Sequence, residues 1–267
     1  MKKLILVTGG TGYIGSHTVV ELIENGYDVV IIDNLYNSEA EVVDRIAKIT
    51  GTTPPLEVFD LCDAARLESF FRKYQNIDGI IHFAAYKAVG ESVHKPLEYY
   101  RNNLVSLMNL LDSMKKTGIP AFVFSSSCTV YGQPEKLPVS EDSPIQPAVS
   151  PYGNTKQIGE EIIRDTISSD PNIRAIALRY FNPIGAHPSG LIGELPRGVP
   201  ENLVPYITQT AYGLRDELKV FGNDYNTPDG SCIRDYLHVV DLAKAHVIAI
   251  ERLIGNKNKS GFEIFNL

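Results

Sequence analysis

The sequence predicts an α/β fold, a doubly wound parallel sheet that carries a second, smaller lobe. Three observations predict it. Short apolar runs alternate with helical stretches through the first two-thirds of the 267 residues. The first run, Leu4-Ile5-Leu6-Val7, leads directly into Gly9-Gly10-Thr11-Gly12-Tyr13-Ile14-Gly15. Past Asn182 the texture changes, with Pro183, Gly185, Pro188, Gly190, Gly193, Pro196, Gly198 and Pro200 crowded together. Alternation of this kind gives parallel strands with helices on both faces, and ligands then sit at the carboxyl ends of the strands.

Leu4 to Val7 reads as a buried strand and the residues from about Thr11 to Asn25 as a helix stopped by Gly26. The glycines between fit G-x-G-x-x-G, a Rossmann-type dinucleotide loop: a tight turn whose backbone approaches a pyrophosphate at a helix N-terminus. Asp28 to Asp33 reads as the next strand, and Asp33 follows Gly15 by 18 residues. A carboxylate there suits the adenosine ribose and repels a 2′-phosphate, so NAD is favoured over NADP. The plainer reading of Asp33 is a loop or cap residue.

Further along, the pattern predicts helices near Ser38–Thr50, Ala64–Tyr74, Pro96–Gly118 and Pro151–Ser169. Strands are predicted near Leu56–Phe59, Gly79–Ala84, Ala121–Ser125 and Ile173–Tyr180. In the second lobe a helix is expected over Glu201–Tyr212 and strands near Lys219–Phe221 and Asp235–Val240. A helix over Asp241–Ile254, capped by its aspartate, follows. The division expected is residues 1–181 for dinucleotide binding and 182–267 for the smaller lobe, with about 231–255 packing back on the first.

Composition narrows the class. The formal net charge of −7 argues against nucleic acid as the default partner. No apolar run approaches a membrane span. Cys62, Cys128 and Cys232 are odd in number and scattered, which suits free thiols in a cytoplasmic protein and matches no metal spacing. The six histidines form no metal motif, and no metal is expected.

Tyr152 and Lys156 lie four apart on a predicted helix, so their side chains share a face. A free tyrosine is a poor base at neutral pH; a nearby ammonium favours the phenolate. Ser127 ends the preceding strand, where its hydroxyl can hold a substrate oxygen beside Tyr152. A hydride carrier next to a proton acceptor makes an alcohol–ketone redox site.

These residues resemble the extended short-chain dehydrogenase/reductase family, and within it the nucleotide-sugar 4-epimerases. The resemblance rests on Thr8 to Gly15, on the segment His82 to Val93 around Lys87, and on Phe124 to Gly132. Tyr180 to Pro188 and Arg234 to Val239 extend it into the second lobe. It implies that Tyr152 takes the proton of a sugar 4-hydroxyl while NAD takes the C4 hydride. The 4-keto sugar then turns and regains the hydride on its other face, interconverting UDP-glucose and UDP-galactose. Ser127, Tyr152 and Lys156 are the catalytic set so implied. NAD contacts implied are Gly9, Gly12, Tyr13, Ile14, Gly15, Asp33, Asn34, Asn37, Asp60, Leu61, Phe83, Lys87, Asn102, Tyr152, Lys156 and Tyr180. Substrate contacts implied are Lys87, Ser127, Tyr152, Phe181, Asn182, Asn202, Leu203, Phe221 and Arg234. Arg234 suits a diphosphate as a permanent cation with several donors, its plainer role being an ion pair with Asp235.

Two rivals share the fold. A nucleotide-sugar 4,6-dehydratase or decarboxylase carries an acid just before the V-Y-G-like step, where this chain has Cys128 and Thr129. A non-catalytic dinucleotide sensor is expected to have lost Ser127, Tyr152 or Lys156. A homodimer is expected from the stripe Leu104, Leu107, Leu111 on the Leu97–Met114 helix, which neighbours the Tyr152 helix in related folds. The chain stops in Phe262 to Leu267, which reads as a strand beginning. Relatives of this kind continue for several tens of residues with further substrate contacts, so NAD binding and weak UDP-sugar binding are expected of these residues.

Overall fold

The computed structural model describes residues 2–267. Its strands are β1 (Leu4–Thr8), β2 (Asp28–Asp33), β3 (Leu56–Val58), β4 (Ile77–His82), β5 (Ala121–Ser125), β6 (Arg174–Arg179), β7 (Asn182–Ile184), β8 (Tyr236–His238) and β9 (Phe262–Asn266). Its α-helices are α1 (Tyr13–Glu24), α2 (Val42–Thr50), α3 (Ala64–Lys73), α4 (Val89–His94), α5 (Pro96–Tyr100), α6 (Ser106–Thr117), α7 (Pro151–Ser169), α8 (Leu203–Ala211) and α9 (Val239–Ile254). Seven strands form one parallel sheet in the order β3-β2-β1-β4-β5-β6-β9, and β7 pairs with β8 in a small second sheet. The chain builds outward from β1 to β3 and then resumes on the other side of β1 with β4. That reversal opens a crevice above the carboxyl ends of β1 and β4.

Alternation along the strands divides the core. Ile5, Val7, Val29 and Ile31 point to the face covered by α1, α2 and α9, where Val20, Ile46 and Ile250 meet them. Leu6, Val30, Ile32, Phe122 and Phe124 point to the other face, where Leu67, Leu107, Leu111 and Ile163 from α3, α6 and α7 meet them. Near-continuous apolar strands buried on both faces are what a parallel sheet requires. Gly51 and Gly118 end α2 and α6 in the left-handed region, at φ 73° and 74°.

The structure corrects several expectations. α2 starts at Val42, because Ser38 is used in the loop before it: its hydroxyl reaches Asp33 at 3.3 Å and Thr11 at 2.7 Å. The long helix from Pro96 is broken into α5 and α6 by a single π-turn, Arg101–Val105, and α4 precedes it unannounced by the pattern. Lys219–Phe221 forms no strand; Val220 and Phe221 are 79 % and 85 % exposed, so no apolar face is buried to hold one. α9 starts at Val239, and its cap is the His238 ring, which accepts from the Val240 amide at 3.3 Å; Asp241 sits inside the first turn. Leu107 and Leu111 are buried against the sheet within this one chain while Leu104 is half-buried, so most of the leucine stripe is core and gives no argument for a dimer. Of the second lobe as bounded from the sequence, α9 packs on α1 and the sheet, and β9 pairs with β6.

Candidate active site

The glycine loop is shaped by close approaches. Gly9 has φ 72°, and a Cβ there would meet the Ala84 amide nitrogen at 2.8 Å. A Cβ on Gly15 would collide with the Gly9 carbonyl oxygen and come within 2.9 Å of Gly10 Cα. Only glycine lets α1 start this close to the end of β1. Gly12, at the N-cap, offers no side-chain cap, and the first turn holds no acidic residue. The amides of Tyr13, Ile14 and Gly15 find no acceptor among the described residues and are aimed from a helix N-terminus. A backbone cradle with spare donors fits a dinucleotide pyrophosphate.

Asp33 ends β2 with its carboxylate accepting from Thr11 N (3.2 Å), Leu35 N (2.9 Å) and Ser38 Oγ (3.3 Å). It therefore fixes both the glycine loop and the next loop, which is the plainer role; the ribose role is compatible with it, since Oδ2 accepts only from Thr11 N and keeps a second lone pair. Asn34 donates to Asp60 at 3.4 Å, and Asp60 also accepts from Cys62 N at 2.8 Å. Leu61 is buried beneath them, and Asn37 is exposed at the rim. Phe83, one residue past β4, is half-buried against His246, with ring centroids 4.6 Å apart. Asn102 lies in the π-turn, and its neighbour Asn103 binds both backbone groups of Tyr86 (2.8 and 3.0 Å) and Thr155 Oγ1 (3.1 Å). A π-turn re-aims these amides, tying the Lys87 loop to α7.

The three serines at the end of β5 serve different partners. The Ser125 carbonyl accepts from Lys156 Nζ at 2.7 Å, and the Ser125 hydroxyl meets Tyr180 Oη at 2.6 Å. Ser126 Oγ donates to Glu160 at 2.6 Å. Ser127 Oγ accepts from Thr129 N at 3.2 Å, capping a 3-10 turn over Cys128–Tyr131, and is buried beside the Tyr152 hydroxyl. α7 delivers Tyr152 and Lys156 one turn apart; Ser150 caps it by accepting from Gly153 N at 3.1 Å, with Pro151 in the first turn. Lys156 Nζ also lies over the Phe124 ring at 4.8 Å and the Tyr152 ring at 5.8 Å.

Burial dominates the electrostatics of this centre. It pushes the Tyr152 phenol well above its ordinary value, helped by Tyr180, while the Ser127 hydroxyl works the other way. Burial also lowers Lys156 to about 8, opposed by the Glu160 carboxylate. Tyr180 is pushed up to about 12 by burial. In the chain alone, then, Tyr152 is a phenol.

Toward the second lobe, Lys87 Nζ pairs with Glu194 at 3.2 Å, and Asn202 donates to the same carboxylate oxygen at 2.8 Å. Tyr13 donates to the Gly185 carbonyl at 2.7 Å. Asn182 Nδ2 donates to Asp235 O at 2.8 Å, joining β7 to the segment that carries Arg234. Arg234 is exposed and forms no ion pair with Asp235; its charge instead acts on Cys128, next to Ser127. Phe181 is half-buried after Tyr180, whereas Leu203 and Phe221 stand largely exposed. Among the described residues no group of metal-ligating side chains exists, and no helix is long and apolar enough to cross a membrane.

Sequence reasoning missed Glu160, Arg179, Ser126, Asn103 and Glu194. Glu160 alone carried a signal: it lies four residues past Lys156 on the same buried helix face.

The comparisons agree with this geometry. Residues 5–267 match the family model described as NAD dependent epimerase/dehydratase family. The chain is 52 % identical over 263 residues to the UDP-glucose 4-epimerase of Dictyostelium discoideum, covering 98 % of this chain and 75 % of that one. To the human UDP-glucose 4-epimerase it is 50 % identical over 273 residues, covering 100 % and 77 %. The crystal structure of the Bifidobacterium longum UDP-glucose 4-epimerase with NAD+ and UDP superimposes with a TM-score of 0.94 at 48 % identity, covering 99 % of this chain and 78 % of that one. With the glycine cradle, the Ser127–Tyr152–Lys156 centre and these matches together, the chain belongs to the NAD-dependent epimerase/dehydratase family.

Proposed function

We propose that this chain interconverts UDP-glucose and UDP-galactose by reversible, NAD-dependent oxidation at the sugar C4. The observation that carries the reading is that Ser127, Tyr152 and Lys156 converge beside the glycine cradle, with no carboxylate at Cys128 or Thr129. A C5 proton abstraction, as a dehydratase or decarboxylase needs, lacks its base there. The residues of the glycine loop, Asp33, Asn34, Asn37, Asp60, Leu61, Phe83, Lys87, Asn102 and Tyr180 are assigned to NAD. Lys87, Phe181, Asn182, Asn202, Leu203, Phe221 and Arg234 are assigned to the UDP-sugar. Residues 1–181 form the cofactor side and the 182–267 part contributes the substrate side.

NAD, when bound, supplies the acceptor and later the donor of the C4 hydride. Tyr152 takes the proton of the 4-hydroxyl and returns it to the opposite epimer. Because burial keeps Tyr152 protonated in the chain alone, it reaches the phenolate only through cationic stabilisation in the loaded site, to which Lys156 contributes. Ser127 donates to the 4-oxygen and holds it against Tyr152 in both directions. Lys156, lowered to about 8, keeps its charge through neutral pH. The dry surroundings of Tyr152 and Lys156 exclude water from the 4-keto sugar while it turns.

The protein is assigned to the cytoplasm and to a homodimer. Three unpaired thiols support the first. Exposed Val93, Leu97 and Met108 on neighbouring helices α4 to α6 support the second, since they are apolar and face away from the sheet. Proton NMR of UDP-galactose incubated with the protein tests the activity. The account expects UDP-glucose; a 4-keto-6-deoxy sugar would assign the dehydratase, and an unchanged spectrum the sensor.

A further inference from the structure

Behind the reacting face of α7 lies a buried ionic network that the mechanism above does not use. Glu160 is 4 % exposed, one helical turn beyond Lys156 and two beyond Tyr152. Its carboxylate accepts from Arg179 Nη2 (2.6 Å) and Nε (3.0 Å) and from Ser126 Oγ (2.6 Å). Arg179, 3 % exposed at the end of β6, also donates to Tyr131 Oη at 3.0 Å, and Tyr131 donates to Asn266 Oδ1 at 2.6 Å. One carboxylate thus ties α7 to the ends of β5 and β6, and through Tyr131 to the 3-10 turn and β9. Those are the elements that carry Ser127, Tyr152 and Tyr180.

A buried ion pair is a poor device for stability, because desolvation of both charges offsets their attraction. Its position matters more. The groups facing Lys156 are Tyr152 and Glu160 on α7, His82 at the end of β4, and Tyr180 beyond β6; β5 adds only the Ser125 carbonyl and the Phe124 ring. Burial lowers His82 to about 3 and raises both tyrosines, so all three are neutral at physiological pH. Glu160, itself paired with Arg179, is the one anionic group among those facing the buried ammonium.

We propose that Glu160, clamped by Arg179 and Ser126, is a positioning residue that holds Lys156 in its charged form and in register with Tyr152 and Ser127. This rests on the epimerase reading for its kinetic consequence but not for its effect on Lys156. The carboxylate is buried, with its oxygens held by Arg179 and Ser126. It acts through Lys156, and Arg179 holds the carboxylate in place against α7.

The test compares Glu160→Gln with the double variant Glu160→Gln/Arg179→Met. The lysine side-chain resonances are titrated by NMR, with Lys156 assigned by its loss in Lys156→Met. Turnover of UDP-galactose is followed against pH in parallel. Both variants are expected to move the Lys156 titration down, Glu160→Gln by about one pH unit or more and the double variant by less, because it also removes the Arg179 cation. The alkaline limb of kcat should follow it with KM little changed. Stability behaves differently: Glu160→Gln strands a buried guanidinium and lowers Tm, while the double variant removes both charges and recovers most of the loss. The double variant therefore carries the test even where the single one folds poorly. An unmoved or raised Lys156 titration in the double variant would overturn the proposal. Absence of turnover in the unmutated protein would instead sink the epimerase reading, leaving the Lys156 titration to decide this one.

Discussion

Two side chains, four residues apart, concentrate the chemistry. Tyr152→Phe keeps the ring and its packing and deletes the hydroxyl proposed to move the proton. Turnover is expected to fall by about 10²–10⁴-fold, with UDP binding by calorimetry unchanged. A variant that retains full turnover would place the base elsewhere. Lys156 makes a second, opposite prediction about stability. Its folded value, about 8, lies below the roughly 10.4 of an unfolded lysine, so between these values the unfolded chain binds more protons. The cost of burying the ammonium is fully present below about pH 8 and fades as pH rises toward the unfolded value. Lys156→Met should therefore raise Tm at neutral pH while abolishing turnover, and the gain should shrink by about pH 10. Paired thermal melts decide it; a gain that grows with pH would contradict the sign. The pairing of Tyr152 with Lys156 was legible because helical spacing alone puts them on one face. The raised phenol was not, because it depends on how completely β5, β6 and the 3-10 turn enclose the hydroxyl.

At the scale of elements, the site depends on where helices begin. Gly15→Ala would drive a methyl into the Gly9 carbonyl, which is backbone and has no rotamer to yield. The start of α1 must move and its spare amides with it, so NAD affinity is expected to fall at least about tenfold by titration calorimetry, far more than a Gly→Ala change in a helix interior would suggest. Retention of native affinity would mean that the amides of Tyr13 to Gly15 do not hold the phosphates. Ser150→Ala removes the cap of α7 and should cost about 1 kcal/mol, seen as a Tm lower by roughly 2–4 °C. Elements bounded by strong local signals were legible: β1, β5 and α7 are apolar or amphipathic runs closed by glycine, serine or proline. β7 and the π-turn were not, because three residues beside β8, or one widened helical turn, carry no period of their own. Lys219–Phe221 misled for the converse reason: an apolar pattern with no neighbouring surface to bury it stays irregular.

For the whole molecule, the sheet order decides which distant residues meet. Lys87 reaches Glu194 across 107 positions, and Glu160 reaches Arg179 across 19 through the crossover from α7 to β6. Neither pairing has a signature in one sequence, since each is created by topology. A binding crevice at the carboxyl ends of the strands, by contrast, follows from the alternation of strands and helices, which needs no contact between distant side chains. The proposed homodimer belongs to this scale too: light scattering is expected to give twice the chain mass, and a Leu97→Asp/Met108→Asp variant to give one. A dimer unaffected by both substitutions would move the interface off α5 and α6. The central claim is that one hydride leaves the sugar C4 and returns to the same carbon on the other face. The most direct measurement follows UDP-galactose deuterated at C4, incubated with the protein in ordinary water. The account predicts UDP-glucose that keeps its deuterium at C4, formed with no net change in nucleotide redox state. Loss of the label to solvent, or a product reduced or dehydrated beyond C4, would contradict it.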